Sequence, residues 1–259
     1  MTFTSSTLVG AGLLFVGMLL AAEAGRRLGV VRLARDRDDF SSGSGLVEAA
    51  VFGLLGLLLA FTFSGAASRF EDRRHLIAEE ANAIGTAFLR IDLLPAEAQP
   101  EMRQLFRRYL ETRVETYRKY ADAAAFEARR AEASKLQGEI WGKAVAGSRR
   151  AEAHAQAAIL LLPALNAMID ITTTRDVAMQ NHPPQVIFVL LCVLSLVSAL
   201  LMGYVTCGTK VRSWFYFLLV ATTMSITLYV VLDLEYPRLG LIRVDEADQV
   251  LIDLGRTMR

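Results

Sequence analysis

The stretch from Ala49 to Leu89 constrains the fold more than any other part of the sequence. It begins with about 20 uncharged, mostly apolar residues up to Ser68, and as an α-helix these match the roughly 30 Å apolar core of a bilayer. The charged sequence RFEDRR follows directly, with no proline and no turn cluster before it. We therefore predict one continuous helix that crosses a membrane and continues into water.

Small and hydroxyl residues recur along this helix about once per turn. In lipid no hydrophobic effect drives helices together, and such residues promote association because they allow close helix–helix approach. The apolar part also ends in the polar residues Thr62, Ser64 and Ser68. This pattern favours a helix that faces protein or a water-filled pore.

The apolar residues of the whole chain fall into four stretches. The chain has 259 residues, 53% of them hydrophobic, and its mean hydropathy of +0.35 exceeds that of an ordinary soluble domain. The formal net charge of +1 provides no electrostatic case for nucleic acid binding. We predict an all-α, polytopic membrane protein in contact with the lipid bilayer, with transmembrane helices over residues 1–22, 49–68, 185–207 and 214–232.

The first of these helices has an alternative interpretation as a signal peptide. Ala22-Glu23-Ala24 resembles a small-residue cleavage site, but no basic residue precedes the apolar run. Because a signal peptide carries a basic N-terminal region, the sequence favours a retained transmembrane helix.

The remaining segments are polar. Residues 23–48 are predicted to form a basic loop that ends in the Ser/Gly joint of residues 41–45, and residues 233–259 a polar tail. Residues 69–183 are predicted to form a helical soluble domain inserted between the second and third transmembrane helices. Its apolar stretch at 157–171 is too short for a further span. A stripe at three- and four-residue spacing predicts an amphipathic helix through Met102, Leu105, Phe106, Tyr109, Leu110, Val114 and Tyr117.

No catalytic or metal-binding motif is present in the sequence. It contains no GxSxG, no P-loop, no HExxH and no dinucleotide-binding fingerprint. The histidines His75, His154 and His182 are scattered without the spacing of metal ligands. We therefore expect no enzymatic activity, no metal and no cofactor.

The second apolar helix and its extension resemble the second helix of bacterial bestrophins. The shared pattern is F-x-x-S-x-x-x-x-R-aromatic-x-acid-x-R-x-L with a later asparagine, and beyond the fourth span an acid-x-P-x-G segment. Two further sequences, EEANAIGTAFLRIDLLP at residues 79–95 and LNAMIDITTTR at residues 165–175, resemble a narrower bacterial family. Its members are multi-pass membrane proteins of unknown function and are described as bestrophin-like. The matching positions are Phe61, Ser64, Arg69, Phe70, Asp72, Arg74, Leu76, Asn82, Glu235 and Pro237, with Gly240 one residue late.

The resemblance implies a homo-oligomeric ring, pentameric in bestrophins, whose second helices line a central pore for inorganic ions. It implies a constriction at Phe61, Leu57 and Gly53, although a glycine cannot narrow a pore. Leu54 and Leu58 take this role if the helix is rotated, and Phe61 alternatively packs against the third or fourth span. The pore mouth is then expected at Ser64, Ser68, Arg69, Asp72, Arg73 and Arg74.

Three functions therefore compete. The first is a bestrophin-like ion channel in the bacterial inner membrane, for which the resemblance places residues 69–183 in the cytoplasm. The second is a non-conducting, membrane-anchored scaffold that binds a partner protein through the same residues. A transporter is disfavoured, because all four predicted spans lack the ionisable residues that couple transport to ions.

Overall fold

The computed structural model describes residues 3–35, 44–208 and 214–258, and within them every regular element is helical. This confirms the predicted all-α class. Two short 3-10 helices accompany the α-helices, at Arg90–Leu93 and Thr206–Gly208. Residues 41–43 of the predicted Ser/Gly joint at 41–45 lie outside the described residues, as do the basic residues at 37, 210 and 212. The α-helices are α1 (Phe3–Arg35), α2 (Ser44–Leu89), α3 (Gln99–Arg118), α4 (Ala123–Ser148), α5 (Ala157–Gln180), α6 (Gln185–Val205), α7 (Trp214–Glu235) and α8 (Gln249–Thr257).

Four helices are long and apolar enough to cross a membrane, as predicted. By length and composition they lie within Phe3–Ala34, Gly45–Leu93, Ala157–Gly208 and Trp214–Glu235. The predicted continuity of the second helix is also confirmed, since α2 runs without interruption from Ser44 to Leu89. Its C-terminal half changes from uniformly apolar to amphipathic, with Ile77, Ile84 and Phe88 buried in a core.

The chain forms two compact units. The first unit comprises the described residues of 1–68 and 182–242, and the second unit those of 69–181 and 243–259. The predicted polar tail at 233–259 is thus divided between the two units. Its last part forms α8, because Leu251, Leu254 and Met258 recur on one helix face, and Leu251 is fully buried. Arg107 Nε also donates to the Met258 carbonyl at 2.7 Å.

In the first unit, α1 and α6 approach each other closely enough for backbone contact. A Cβ atom at Gly203 would lie 1.8 Å from the Ala22 carbonyl oxygen, and one at Gly25 would lie 1.9 Å from that of Leu200. Each of these glycines is therefore required by the packing of the opposite helix. Small residues thus permit the close packing of α1 against α6.

The structure differs from the predicted basic loop of residues 23–48 at both ends. Helix α1 continues to Arg35, and α2 already begins at Ser44. Glu23 accepts hydrogen bonds from Arg26 at 3.2 Å and Arg27 at 2.9 Å, which are the i+3 and i+4 neighbours that support a helix. The arginines of this segment therefore extend the helix instead of ending it.

The second unit consists of the C-terminal half of α2 together with α3, α4, α5 and α8. Its core confirms the predicted stripe of α3, in which Phe106 and Tyr109 have no exposed surface. Ile140 of α4 and Met168 of α5 are equally buried in the same core. Helix α5 spans both the short apolar stretch and the threonine-rich sequence after it, and it contains Pro163.

The contact between α1 and α6 leads to a prediction about Gly203. Gly203→Ala forces the two backbones apart, and we expect the overpacking to destabilise the protein by about 1–3 kcal/mol. Gly10→Ala in α1 is the matched control, because a Cβ there meets nothing within 4 Å. It should be neutral or stabilising, since alanine is the better helix former. Thermal unfolding in detergent measures both, and equal midpoints would contradict the contact.

Candidate functional site

Helix α2 presents one face to its own chain and leaves another exposed. Leu55 and Leu59 are buried in the core of the first unit, with exposed fractions of 0% and 7%. On a different face, Leu57 is 52% exposed and Phe61 is 67% exposed. A Cβ atom at Gly53, one turn before Leu57, would meet nothing within 4 Å. The three residues of the predicted constriction therefore form one exposed line along α2.

This line continues into the hydroxyl residues at the end of the apolar stretch. Ser64 and Ser68 follow Phe61 by three and seven residues, which keeps them on the same helix face, and both are exposed. Thr62 lies off this line and donates its hydroxyl hydrogen bond to the Leu58 carbonyl at 2.7 Å. The exposed face thus changes from apolar to polar along its length.

Helix α2 is also the least buried of the four apolar helices. In its most apolar stretch 11% of the residues are buried, against 22% in α1 and 28% in each of the other two spans. Phe61 in particular leaves two thirds of its surface uncovered by its own chain. Of the alternative positions, Leu54 is 48% exposed and Leu58 packs partly against the core.

The structure separates the charged residues that were predicted together at the helix exit. Asp72 and Arg74 are exposed, and Arg74 pairs with Glu71 at 3.0 Å. Arg69 is half-buried. Arg73 is only 6% exposed and donates to two backbone carbonyl oxygens, those of residues 178 and 181, each at 3.1 Å. Because carbonyls at the end of a helix lack intrahelical partners, Arg73 serves to cap α5.

The other residues of the family pattern occupy different environments. Phe70 packs against the core of the second unit, whereas Asn82 is exposed and Leu76 is half-buried. In the first unit Pro237 is buried. Glu235 is fully buried, and its Oε2 atom lies 3.5 Å from Nδ1 of His182.

Asp233, next to this pair, organises the turn after α7. Its buried carboxylate accepts hydrogen bonds from the backbone N–H groups of Leu241 at 3.0 Å and Ile242 at 2.6 Å. Gly240 passes so close that a Cβ there would lie 2.1 Å from Oδ1 of Asp233. Sequence reasoning missed this role, since it assigned Asp233 only to the polar tail of residues 233–259.

A buried charged cluster lies in the second unit, formed by Glu80, Arg113, Arg175 and Tyr117. Arg113 Nε donates to Glu80 Oε1 at 2.5 Å, and Arg175 Nη1 donates to the other carboxylate oxygen. Arg113 Nη2 also donates to the Tyr117 hydroxyl, and the Arg175 guanidinium lies 3.8 Å from the centre of the Tyr117 ring. The cluster therefore joins α2, α3 and α5 through residues that are all less than 5% exposed.

The comparison with known proteins agrees with this architecture. The sequence model of the Bestrophin-like domain matches residues 13–249 of the chain. The chain belongs to the bestrophin-like family. No protein of curated function matches it.

Two crystal structures resemble this bestrophin-like protein over almost its whole length. One is a point mutant of a bacterial bestrophin homologue from Klebsiella pneumoniae, at 15% identity and a TM-score of 0.65, covering 94% of this chain and 97% of that one. The other is a mutant form of a protein described only as a membrane protein, at 15% identity and a TM-score of 0.63, covering 94% and 98%. These similarities show a shared fold.

The charged cluster determines the protonation states in this part of the bestrophin-like protein. Burial raises the pKa of Glu80, but the guanidinium groups of Arg113 and Arg175 outweigh it, and the resulting pKa lies below the ordinary value. Burial raises the pKa of Tyr117 to about 12, and it also raises that of Tyr109. At neutral pH the carboxylate is therefore ionised and both tyrosines are neutral.

Sequence reasoning missed this cluster, although a signal was present. Glu80 stands between Ile77 and Ile84 on the apolar face of α2, and Arg113 stands between Tyr109 and Tyr117 on the apolar stripe of α3. A charged residue at a core position requires a partner of opposite charge. Two such positions of opposite sign on neighbouring helices indicate a buried ion pair.

We predict that Glu80→Gln destabilises the second unit by about 3–5 kcal/mol, because it leaves two buried guanidinium groups without their anion. The neighbouring Glu79→Gln is the matched control, since Glu79 is exposed. An exposed substitution of this kind should change the free energy of unfolding by no more than about 0.5 kcal/mol. Chemical denaturation measures both variants, and a similar effect of the two would contradict the buried pair.

The pH dependence of this difference follows from the lowered pKa of Glu80. The ionised carboxylate stabilises the fold at pH values above its unfolded pKa of about 4.3, and this contribution is lost as the pH falls through the folded pKa. The gap in unfolding free energy between wild type and Glu80→Gln should therefore stay constant above about pH 5 and shrink in more acidic solution. Denaturation at a series of pH values measures the gap, and a gap that widens in acid would refute this assignment.

Proposed function

We propose that this bestrophin-like protein is an oligomeric ion channel in which α2 lines the pore. The observation that supports this most directly is the exposed line along α2, through Gly53, Leu57, Phe61, Ser64 and Ser68. It lies on the least buried of the four apolar helices. In an oligomer, a second copy of the chain would bury the face of α2 that its own chain leaves exposed.

Two glycines of α2, Gly53 and Gly56, support contact between subunits. Gly25 and Gly203 are occupied by the packing of α1 against α6, whereas a Cβ at Gly53 or Gly56 would meet nothing within 4 Å. Small residues in membrane helices allow close approach of a neighbouring helix. Because no neighbour within the described residues of the chain uses Gly53 and Gly56, they are available to α2 of an adjacent subunit.

The order of residues on the exposed line suits a gated pore. Rings of Phe61 and Leu57 would form an apolar constriction, which obstructs ions because water in a narrow apolar pore is unstable. Gly53 contributes no side chain to the constriction. The hydroxyls of Ser64 and Ser68 would then coordinate the ion in place of water. Arg69, Asp72 and Arg74 would lie at the pore mouth. We leave Arg73 out of this mouth because its guanidinium caps α5.

The proposal includes the location of the second unit. Its exposed helix faces carry ion pairs such as Arg118 with Glu115 at 3.1 Å and Arg129 with Glu132 at 2.8 Å, which are typical of a surface in water. We place the second unit in the cytoplasm and the apolar helices in the bacterial inner membrane, as in the family resemblance. The partners are then lipid, further copies of the chain and inorganic ions.

One sample tests the proposal. The purified protein should have the mass of a symmetric oligomer by native mass spectrometry, and the same preparation should conduct ions in planar bilayers. A monomer in mild detergent would refute the proposal. An assembled oligomer without current would support the alternative, a membrane-anchored scaffold that binds a partner protein through residues 69–183.

Cysteine cross-linking tests the position of α2. After replacement of the native Cys192 and Cys207, Leu57→Cys and Phe61→Cys should form disulfide-linked dimers, because residues near a symmetry axis lie close to their copies. Leu218→Cys is the matched control, since Leu218 is 43% exposed but lies on α7. It should not cross-link. Non-reducing gels measure the result, and equal linkage from Leu218→Cys would contradict a central α2.

Substitution of the two phenylalanines tests the constriction. Phe61→Ala should raise conductance or open probability, because the smaller ring of side chains stabilises water in the pore. Phe63→Ala is the control, since Phe63 lies about 200° around the helix from Phe61. Its ring is 45% exposed, so the loss of core packing expected for a buried ring does not apply. Single-channel recording measures both, and the reverse pattern would indicate a rotated helix.

A further inference from the structure

The second unit contains a polar cavity between α3, α4 and α5, with a volume of about 290 Å³. We call it the α3–α5 cavity. Its wall includes one residue of the buried charged cluster, Arg113. The other polar residues of the wall are Arg130, Ser134, Gln137, Thr172, Thr173 and Asp176.

Arg113 brings unused hydrogen-bond donors to this cavity. Its hydrogen bonds within the described residues employ Nε, toward Glu80, and Nη2, toward Tyr117. The Nη1 amino group has no acceptor among the residues that the structure describes. An arginine that is 2% exposed and lines a cavity therefore offers two N–H groups to whatever occupies that cavity.

The charges of the buried cluster beside the cavity do not cancel. The two guanidinium groups of Arg113 and Arg175 face the single carboxylate of Glu80, so the buried cluster carries one net positive charge. Outside the cluster, Arg130 in the cavity wall pairs with Asp176 at 2.9 Å and also lies 3.7 Å from the exposed carboxylate of Glu127. A buried net charge is unfavourable unless an ion of opposite sign or a strong dipole compensates it. One bound negative charge would balance the cluster.

We propose that the α3–α5 cavity binds a small monoanionic carboxylate through the Nη1 amino group of Arg113 and the hydroxyl groups of Ser134 and Thr173. A carboxylate oxygen is a strong acceptor for the N–H groups of a guanidinium, and such charge-assisted hydrogen bonds are stronger than those between neutral groups. The volume of about 290 Å³ lies just below the range of about 300–1,000 Å³ that is typical of small-molecule sites, which suits a small ligand. The carboxylate of Asp176 in the same wall disfavours a dianion by repulsion.

Thermal unfolding of the purified full-length protein tests this site. Sodium acetate and sodium lactate are the probes, with sodium chloride as the reference and sodium sulfate as the dianion, all at equal ionic strength. A ligand that binds only the folded state stabilises it by RT ln(1 + [L]/Kd), so the unfolding midpoint continues to rise with the logarithm of the ligand concentration. We expect this rise with acetate or lactate, and with sulfate only the general stabilisation that an excluded salt produces.

Three variants connect the effect to the cavity. Thr173→Phe places a bulky ring in the cavity wall at an exposed position and should abolish the rise. Thr174→Phe is the matched control, because Thr174 is exposed and adjacent but does not line the cavity, and it should leave the rise unchanged. Arg113→Lys keeps the charge but loses the Nη1 amino group that is offered to the ligand, and should weaken binding about tenfold.

Several outcomes overturn the proposal. These are a midpoint that no carboxylate raises, a wild-type response to the carboxylates in Thr173→Phe, and a response to sulfate that Thr173→Phe abolishes. The proposal does not rest on the channel function, because the readout requires neither an oligomer nor a current. A protein that conducts ions but fails this test would lose only the cavity assignment.

Discussion

The hydrogen bonding of the backbone in lipid is the constraint on which this structure depends. Inside hydrocarbon every N–H and C=O group must find its partner within the chain, so the apolar stretch from Ala49 to Ser68 is restricted to a helix. No proline or turn sequence ends that helix at the polar boundary, and α2 therefore continues to Leu89. Its C-terminal half brings Ile77, Glu80 and Ile84 into the core of the second unit. One helix thus contributes both to a membrane-spanning bundle and to a core with buried charges.

Packing forces differ between the two parts of the chain. In the apolar unit the hydrophobic effect does not hold helices together, and the contact of α1 with α6 depends on shape, through Gly25 and Gly203. The second unit has an ordinary hydrophobic core, and there three helices are additionally linked by the cluster around Glu80. The glycines that remain unused in α2 and the charge that remains unbalanced beside Arg113 are the two features that point beyond the single chain.

Much of the fold was predictable from sequence because it depends on local spacing. Length and hydropathy identified four apolar helices, the absence of breakers predicted a continuous α2, and the three- and four-residue period of α3 predicted its buried face. The family pattern around Phe61 and Arg69 is local as well. The basic residues after α1 were less informative, because Arg26 and Arg27 support a helix through Glu23 as readily as they occupy a loop.

The sequence by itself thus determined the four apolar helices, the buried face of α3 and the family. Only the tertiary structure decided which partner each polar residue meets. Glu80 contacts Arg113 and Arg175 across 33 and 95 residues of sequence, and Arg73 reaches carbonyls more than 100 residues away. Helical periodicity reports which residues share a face, but it contains no information about which helix packs against that face. The partner of each polar residue depends on which helices are neighbours in the folded structure, and that arrangement is determined by the whole chain.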